Sequence, residues 1–152
     1  MKILVFSDSH RSLGSMLDTI ELQKPDMIVH LGDLARDAEE IGYAYPMIPL
    51  VSVPGNCDGW TTDPAIRRFS IEGKSVLLSH GHLWYVKRGY EMAMLEARKA
   101  GADILLFGHT HNPYCQQQED ELWVMNPGSA RNSYGIILLE NGSINCSLSR
   151  ME

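Results

Sequence analysis

The sequence predicts an α/β protein of two packed, mixed β-sheets with helices on the outside. Three observations carry this expectation. Short apolar runs alternate with helix-periodic stretches through the first half of the chain. The last forty or so residues hold only strand and turn signals. No tract of low complexity or linker composition divides the two halves. Alternating elements followed by a run of strands exclude a purely parallel sheet and fit two layered sheets.

Ile3 to Phe6 reads as a buried strand, and Leu13, Met16, Leu17 and Ile20 then recur at helical spacing until Pro25. Met27 to Leu31 is a second buried strand, running into Gly32-Asp33. A short helix from Ala35 to Tyr45 follows, stopped by Pro46. Leu50 to Val53 is a third short strand whose start is blurred by Pro49. Gly59 to Pro64 is a loop. Ile66 to Ile71 and Ser75 to Ser79 pair around Glu72-Gly73-Lys74. His80 to Arg88 reads as a loop and Gly89 to Ala100 as a helix stopped by Gly101. Ile104 to Phe107 is a strand. Tyr114 to Gln118 and Leu122 to Met125 flank an acidic turn, and Tyr134 to Glu140 turns through Asn141-Gly142 into Ser143 to Leu148.

The chain has 152 residues, enough to bury a core, and a single domain over 1–152 is expected. A net charge of −6 argues against general nucleic-acid or anionic-membrane binding, which needs a basic face. The three cysteines are widely spaced and form no CxxC, so neither a disulfide framework nor a structural zinc site is indicated. The first apolar run is too short for a signal peptide and no run approaches a membrane span. A cytoplasmic location is therefore expected.

Chemistry concentrates in five polar patches, four of them directly after an apolar run: Asp8 with His10, Asp33, Asn56, His80, and His109 with His111. Apolar runs that end in polar residues are how an open sheet presents chemistry at its strand tips. Each patch has an ordinary explanation by itself. Asp8 and Asp33 suit helix caps, and Gly55-Asn56-Cys57-Asp58 suits a turn. Asp8 and His10, two apart on an extended stretch, would point the same way. Seven oxygen and nitrogen donors exceed one metal's needs and suit two ions sharing a carboxylate. His30 lies inside a strand and reads as structural, while His82 is a candidate for contact with substrate or with the ligands.

The order DxH, GD, GNxD, HGH and GHTH, followed by Asn126-Pro127-Gly128-Ser129, resembles the calcineurin-like metallophosphoesterases. The resemblance is to their small single-domain bacterial and archaeal phosphodiesterase branch, and it runs from Met1 to about Leu148. It implies a four-layer α/β/β/α sandwich. It also implies that Asp8, His10 and His111 hold one metal, Asn56, His80 and His109 the other, and Asp33 bridges. The mixed donor set suits manganese, with iron, zinc, nickel or magnesium as alternatives. Two cations about 3.5–4 Å apart would generate hydroxide at neutral pH for in-line attack on phosphorus. Arg11 and Arg131 flank motifs and are candidate phosphate contacts. Trp60, Trp84 and Tyr85 sit in the two loops where specificity is expected and could stack on a ring.

One position departs from the wider family, where the third motif is GNHD or GNHE and its histidine protonates the leaving oxygen. Cys57 stands there instead. A thiol is a poor substitute for imidazolium, and loss of a general acid typically costs about 10²–10⁴-fold. Preference for activated aryl or cyclic diesters over alkyl monoesters is expected, with a small-molecule diester as partner and homo-oligomerisation compatible with the resemblance. The alternatives are a phosphomonoesterase and a catalytically weak interaction scaffold, the role that one relative in a trafficking coat has kept for this fold.

Overall fold

A computed structural model describes residues 1–10 and 12–151. Strand β1 (Lys2–Phe6) is followed by α1 (Leu13–Gln23), β2 (Met27–His30), α2 (Ala35–Ala44) and β3 (Leu50–Ser52). The hairpin β4 (Ile66–Ile71) and β5 (Lys74–Ser79) leads through two 3-10 turns to α3 (Glu91–Lys99) and β6 (Ile104–Leu106). Strands β7 (Tyr114–Gln117), β8 (Trp123–Asn126), β9 (Ser133–Glu140) and β10 (Ser143–Arg150) complete the chain.

Two five-stranded sheets result, ordered β10-β9-β1-β2-β3 and β4-β5-β6-β8-β7. Both are mixed. In the first, β1, β2 and β3 are parallel and β9 and β10 antiparallel. In the second, β5, β6 and β8 are parallel and β4 and β7 antiparallel. The alternation of side chains along a strand then sorts the apolar residues into three cores. Ile3, Val5, Val29, Val76, Leu78 and Ile104 face one another between the sheets. Leu4, Phe6 and Ile28 point outward under Met16 and Ile20 of α1 and Ile41 of α2. Leu77, Leu105 and Phe107 pack against Ala93 and Ala97 of α3. The order helix, sheet, sheet, helix is the expected four-layer sandwich. Strands buried on both faces also explain why the sequence shows unbroken apolar runs.

The boundaries differ from expectation where glycine or the sheet edge decides. The third helix starts at Glu91 because Gly89 sits at φ +136°, outside helical geometry. The expected loop after His80 winds into two 3-10 turns, His82–Trp84 and Val86–Arg88, joined by Tyr85 in a left-handed conformation. That winding buries Trp84 in the outer core, so it is not available to stack on a substrate; Trp60 and Tyr85 remain exposed. Pro49 precedes the edge strand β3, where only its carbonyl is used, accepting from Ile28 N–H.

All six parallel strands end on the same side. There Gly108 N–H donates to the His80 carbonyl within one sheet and Asp8 N–H to the Gly32 carbonyl within the other, while His109 N–H to Asp8 Oδ2 and His80 Nδ1 on the Leu31 carbonyl stitch the two sheets together. No helix among the described residues is long and apolar enough to cross a membrane.

Candidate metal centre

The loop after β1 carries Ser7, Asp8 and Ser9, all buried. The expected extended stretch is absent, for Asp8 and His10 are both left-handed, at φ 51° and 40°. The turn aims the Asp8 carboxylate across the sheet junction. Its Oδ2 accepts from Ser7 Oγ at 2.5 Å and from His109 N–H at 3.1 Å; its Oδ1 lies 3.1 Å from His111 Nε2. Asp8 caps no helix: α1 begins at an N-cap Ser12 whose side chain makes no capping bond.

Asp33 also occupies a left-handed position, φ 45°, after Gly32. Its Oδ1 accepts from Cys57 N–H at 2.9 Å and its Oδ2 is 3.4 Å from His80 Nε2. Burial works to raise this carboxyl, but the neighbouring His80 ring and the hydrogen bond from the Cys57 backbone outweigh it and hold the group well below the usual carboxylate range. Asp33 does not cap α2 either. Asp58 does, accepting from Ala35 N–H at 2.8 Å, from Asp33 N–H at 3.0 Å and from Gly55 N–H at 2.7 Å. The last residue of the GNxD motif is thus the clasp between two site loops.

His80 is wholly buried at the end of β5. Its Nδ1 lies 2.8 Å from the Leu31 carbonyl, which can only accept, so Nδ1 carries the proton. The Nε2 lone pair then faces Asp33 at 3.4 Å, Asp8 Oδ1 at 3.8 Å and His109 Nδ1 at 3.2 Å. Desolvation opposes a charge on this ring, yet the two carboxylates draw its pKa upward. Either a proton or a cation is required at that point. An imidazole anchored through one nitrogen on a carbonyl, with the other aimed at acidic groups, is the usual posture of a metal-ligating histidine.

His10 points the same way. Its Nε2 is buried without a hydrogen-bond partner, and its ring lies 5.4 Å from that of His111. Asp8, His10 and His111 bring one ligand atom each within 4.8 Å of one another, as do Asp8, Asp33 and His80. Asp8 is common to both groups. Among the described residues, these contacts join six of the seven candidates. Asn56 is exposed in its turn beside Cys57. Arg131 is exposed beyond Ser129; Arg11 lies outside the described residues.

The His82 ring stands 5.6 Å from His80 and 6.2 Å from His109, with Nδ1 buried and unpartnered. Burial and the charge of His80 lower its pKa. Cys57 is exposed, and the Asp33 charge and hydrogen bond push its thiol up. His30 is structural as expected. It accepts Gly32 N–H at Nδ1 and so presents N–H to Ser9 Oγ at 3.1 Å. The Asn-Pro-Gly-Ser stretch supplies scaffolding: Asn126 holds the Gly108 carbonyl and Thr110 Oγ1, and Ser129 holds the Asp8 carbonyl.

Residues 1–139 match the calcineurin-like phosphoesterase superfamily domain. The chain belongs to that family. It is 32% identical over 154 residues to the probable metallophosphoesterase YsnB of Bacillus subtilis, covering 93% of this chain and 86% of that one. It is 30% identical over 154 residues to the phosphodiesterase YfcE of Escherichia coli K12, covering 85% and 79%. Among solved structures, a conserved Streptococcus pneumoniae protein, a predicted phosphoesterase, superposes with a TM-score of 0.80 at 21% identity over 99% of this chain and 89% of that one. Vps29 of Entamoeba histolytica, complexed with Zn²⁺, gives 0.76 at 21% over the whole of both chains. The likeness in structure shares the fold; membership in this phosphoesterase family implies divalent metal, and the residues just described are the candidates to hold it.

Proposed function

We propose that this chain hydrolyses small, activated phosphodiesters with the help of two divalent cations. The observation that carries the reading is the bare Nε2 of buried His80, turned onto two carboxylates and a second imidazole. Asp8, His10 and His111 would hold one ion and Asn56, His80 and His109 the other, with Asp33 shared, a division that follows the family's motif order. Bound there, such a pair supplies acidified water and neutralises charge growing on the phosphoryl oxygens. We infer manganese from the mixed donor set, with iron, zinc, nickel and magnesium as alternatives; the name of the zinc-bound Vps29 supports a divalent ion on this fold.

The rest is the work of the chain's own groups. Leu31 fixes the His80 tautomer, Asp58 clamps the Asp33 and Gly55 loops together, and Asn126 and Ser129 brace the loops of His109 and Asp8. Cys57 stands beside Asp33 with its thiol pushed up, so it keeps its proton and gives it up reluctantly. Leaving groups that need no proton, aryl or ring-opening ones, are therefore favoured. The phosphodiesterase name of the E. coli relative supports the same choice.

The test compares a bis-aryl diester, an aryl monoester and a 2′,3′-cyclic nucleotide with manganese present, using Asp33→Ala as control. The diesters should turn over fastest and Asp33→Ala should lose at least about 10²-fold. Full activity in Asp33→Ala would refute the metal reading; equal turnover of alkyl monoesters would refute the diester preference. Failure of the chain to bind manganese in calorimetry would favour the interaction-scaffold alternative.

A further inference from the structure

Two clefts flank the candidate metal centre, and their charges are opposite. One, of about 420 Å³, lies on the Asp33 side, with Glu39, Asp58 and Asp63 set against the single cation Arg36 and with the exposed Trp60 at its wall. The other, of about 580 Å³, opens against the His109–His111 loop. Thr110, the residue between those histidines, is part of its wall, together with Asn112, Tyr90, Lys87 and Arg88. No carboxylate lines it among the described residues.

In a chain of net charge −6, this cleft is lined by two cations and no acid, with Glu91 just behind Gly89 in the adjoining cleft. Its walls are also held in place. Tyr90 packs between Phe107 and Tyr114, tilted against the first at 4.8 Å and edge-on to the second at 5.0 Å between ring centroids. Arg88 is shared with the adjoining cleft, where its guanidinium lies 5.7 Å over the Tyr85 ring. The turn that presents both cations, Val86–Arg88, is anchored by buried Val86. Lys87 shares the cleft with Thr110 of the metal loop. Thr110, Asn112 and Tyr90 add hydroxyl and amide groups that pair with oxyanions.

We propose that the Lys87–Arg88 cleft receives a second anionic group on the substrate, so that the preferred diester carries a further phosphate on the substituent that lies along the His109 loop. This rests on the diesterase reading and narrows its substrate class from any activated diester to one with an additional phosphate. The acidic cleft beside Trp60 is left for the uncharged, ring-bearing substituent. A terminal phosphate in the acidic cleft would meet three carboxylates, and in the basic one it meets two cations.

The probes are two p-nitrophenyl esters of thymidine 5′-phosphate, one with a free 3′-hydroxyl and one with a 3′-phosphate. Wild type should favour the 3′-phosphorylated ester by about tenfold in kcat/KM at low salt, and the preference should shrink as salt is added. In Lys87→Ala/Arg88→Ala the ratio should fall to near one, while Lys99→Ala, a cation exposed on α3, should keep it. Hydrolysis of both esters at equal rates by wild type overturns the proposal and leaves the diesterase reading standing. Retention of the preference in the double variant also overturns it. Binding of thymidine 3′,5′-bisphosphate and thymidine 5′-phosphate, measured by calorimetry on wild type and double variant, decides independently of turnover. Tighter binding of the bisphosphate, abolished in the double variant, supports the proposal even if neither ester is hydrolysed; equal affinities in wild type refute it.

Discussion

Replacing Gly55 with alanine tests whether the site depends on backbone contact between its loops. A Cβ at Gly55 would overlap Asp33 Oδ1 and come within 2.6 Å of Asp33 N, where ordinary contact begins at 3.4 Å. The Asp33 backbone or the Gly55 turn must therefore move by 0.8 Å or more. Neither can move alone, because Asp58 Oδ2 holds both amides at 2.7 and 3.0 Å. Misplacing a group at the reacting centre by about 1 Å costs on the order of 10²-fold in rate. Forcing a methyl into packed structure costs about 1–3 kcal/mol. Gly55→Ala should thus lose about 10²-fold in kcat on a bis-aryl diester at saturating manganese, and about 1–3 kcal/mol in urea unfolding. Gly14→Ala is the control: its Cβ would have nothing within 4 Å on helix α1, and it should be neutral or stabilising by up to about 1 kcal/mol. Wild-type rate and stability in Gly55→Ala would show that the loops are not in the contact described, and the account of Asp33 would fall with it.

The buried His30 ring sets a pH dependence. Burial lowers its pKa from 6.5 to about 4 against the pull of Asp37, Asp58 and Asp8. The folded state therefore takes up its proton later than the unfolded chain, and stability present above pH 6.5 drains away as pH falls toward 4. The full span is worth about 3 kcal/mol, of which about 2 kcal/mol is gone by pH 5. Urea unfolding from pH 7 to 5 should fall more steeply for wild type than for His30→Gln; equal slopes would refute the assignment. Asp58→Ala strands three amides and should cost about 2 kcal/mol or more, with loss of diester turnover, whereas Asp58→Asn should recover part of both. Cys57→His should raise aryl and alkyl monoester turnover relative to diester; an unchanged ratio would mean the thiol is only filling space. Cys57 is exposed, Cys115 half-buried with its thiol pushed up to about 11, and Cys146 pushed up further still by burial. A disulfide reagent at pH 8 should therefore titrate one thiol in the native protein and three after denaturation.

The fold was legible because both faces of its central strands are covered. Ile3 to Phe6 and Ile104 to Phe107 have no polar face to show, so their runs are unbroken and their ends, Ser7 and Gly108, stand out. The ligand candidates were legible for the same reason, as polar residues at the tips of those runs. What the pattern could not convey was how the tips turn. Asp8 and His10 meet their partners through left-handed turns rather than by the two-residue period of a strand, and nothing in Asp-Ser-His announces that choice. Trp84 looked like a loop residue because 3-10 turns leave no clear apolar period; it is buried because Tyr85 reverses the chain behind it. Asp58 was visible as a motif letter, but its three amides come from residues as far back as Asp33, and such partners are set by tertiary contact.

Among the described residues, ten non-glycine positions have positive φ, and five of them are Asp8, His10, Asp33, His109 and His111. A left-handed residue with a Cβ costs about 1–2 kcal/mol. Five together therefore approach the whole net stability of a domain, about 5–15 kcal/mol. Elsewhere the conformation is taken by single scattered residues, Lys24, Glu72, Tyr85, Glu121 and Asn141, or by glycine, as at Gly73 and Gly142. At the sheet junction the chain keeps aspartate and histidine in the strained conformation and holds them there with Ser129, Asn126, Asp58 and the Gly32 carbonyl. Stability cannot be the reason for that choice, since glycine would serve stability better. The carboxylates and imidazoles are retained for what their side chains do at the junction, and a strained cluster held by its surroundings is how a fold carries a reactive site.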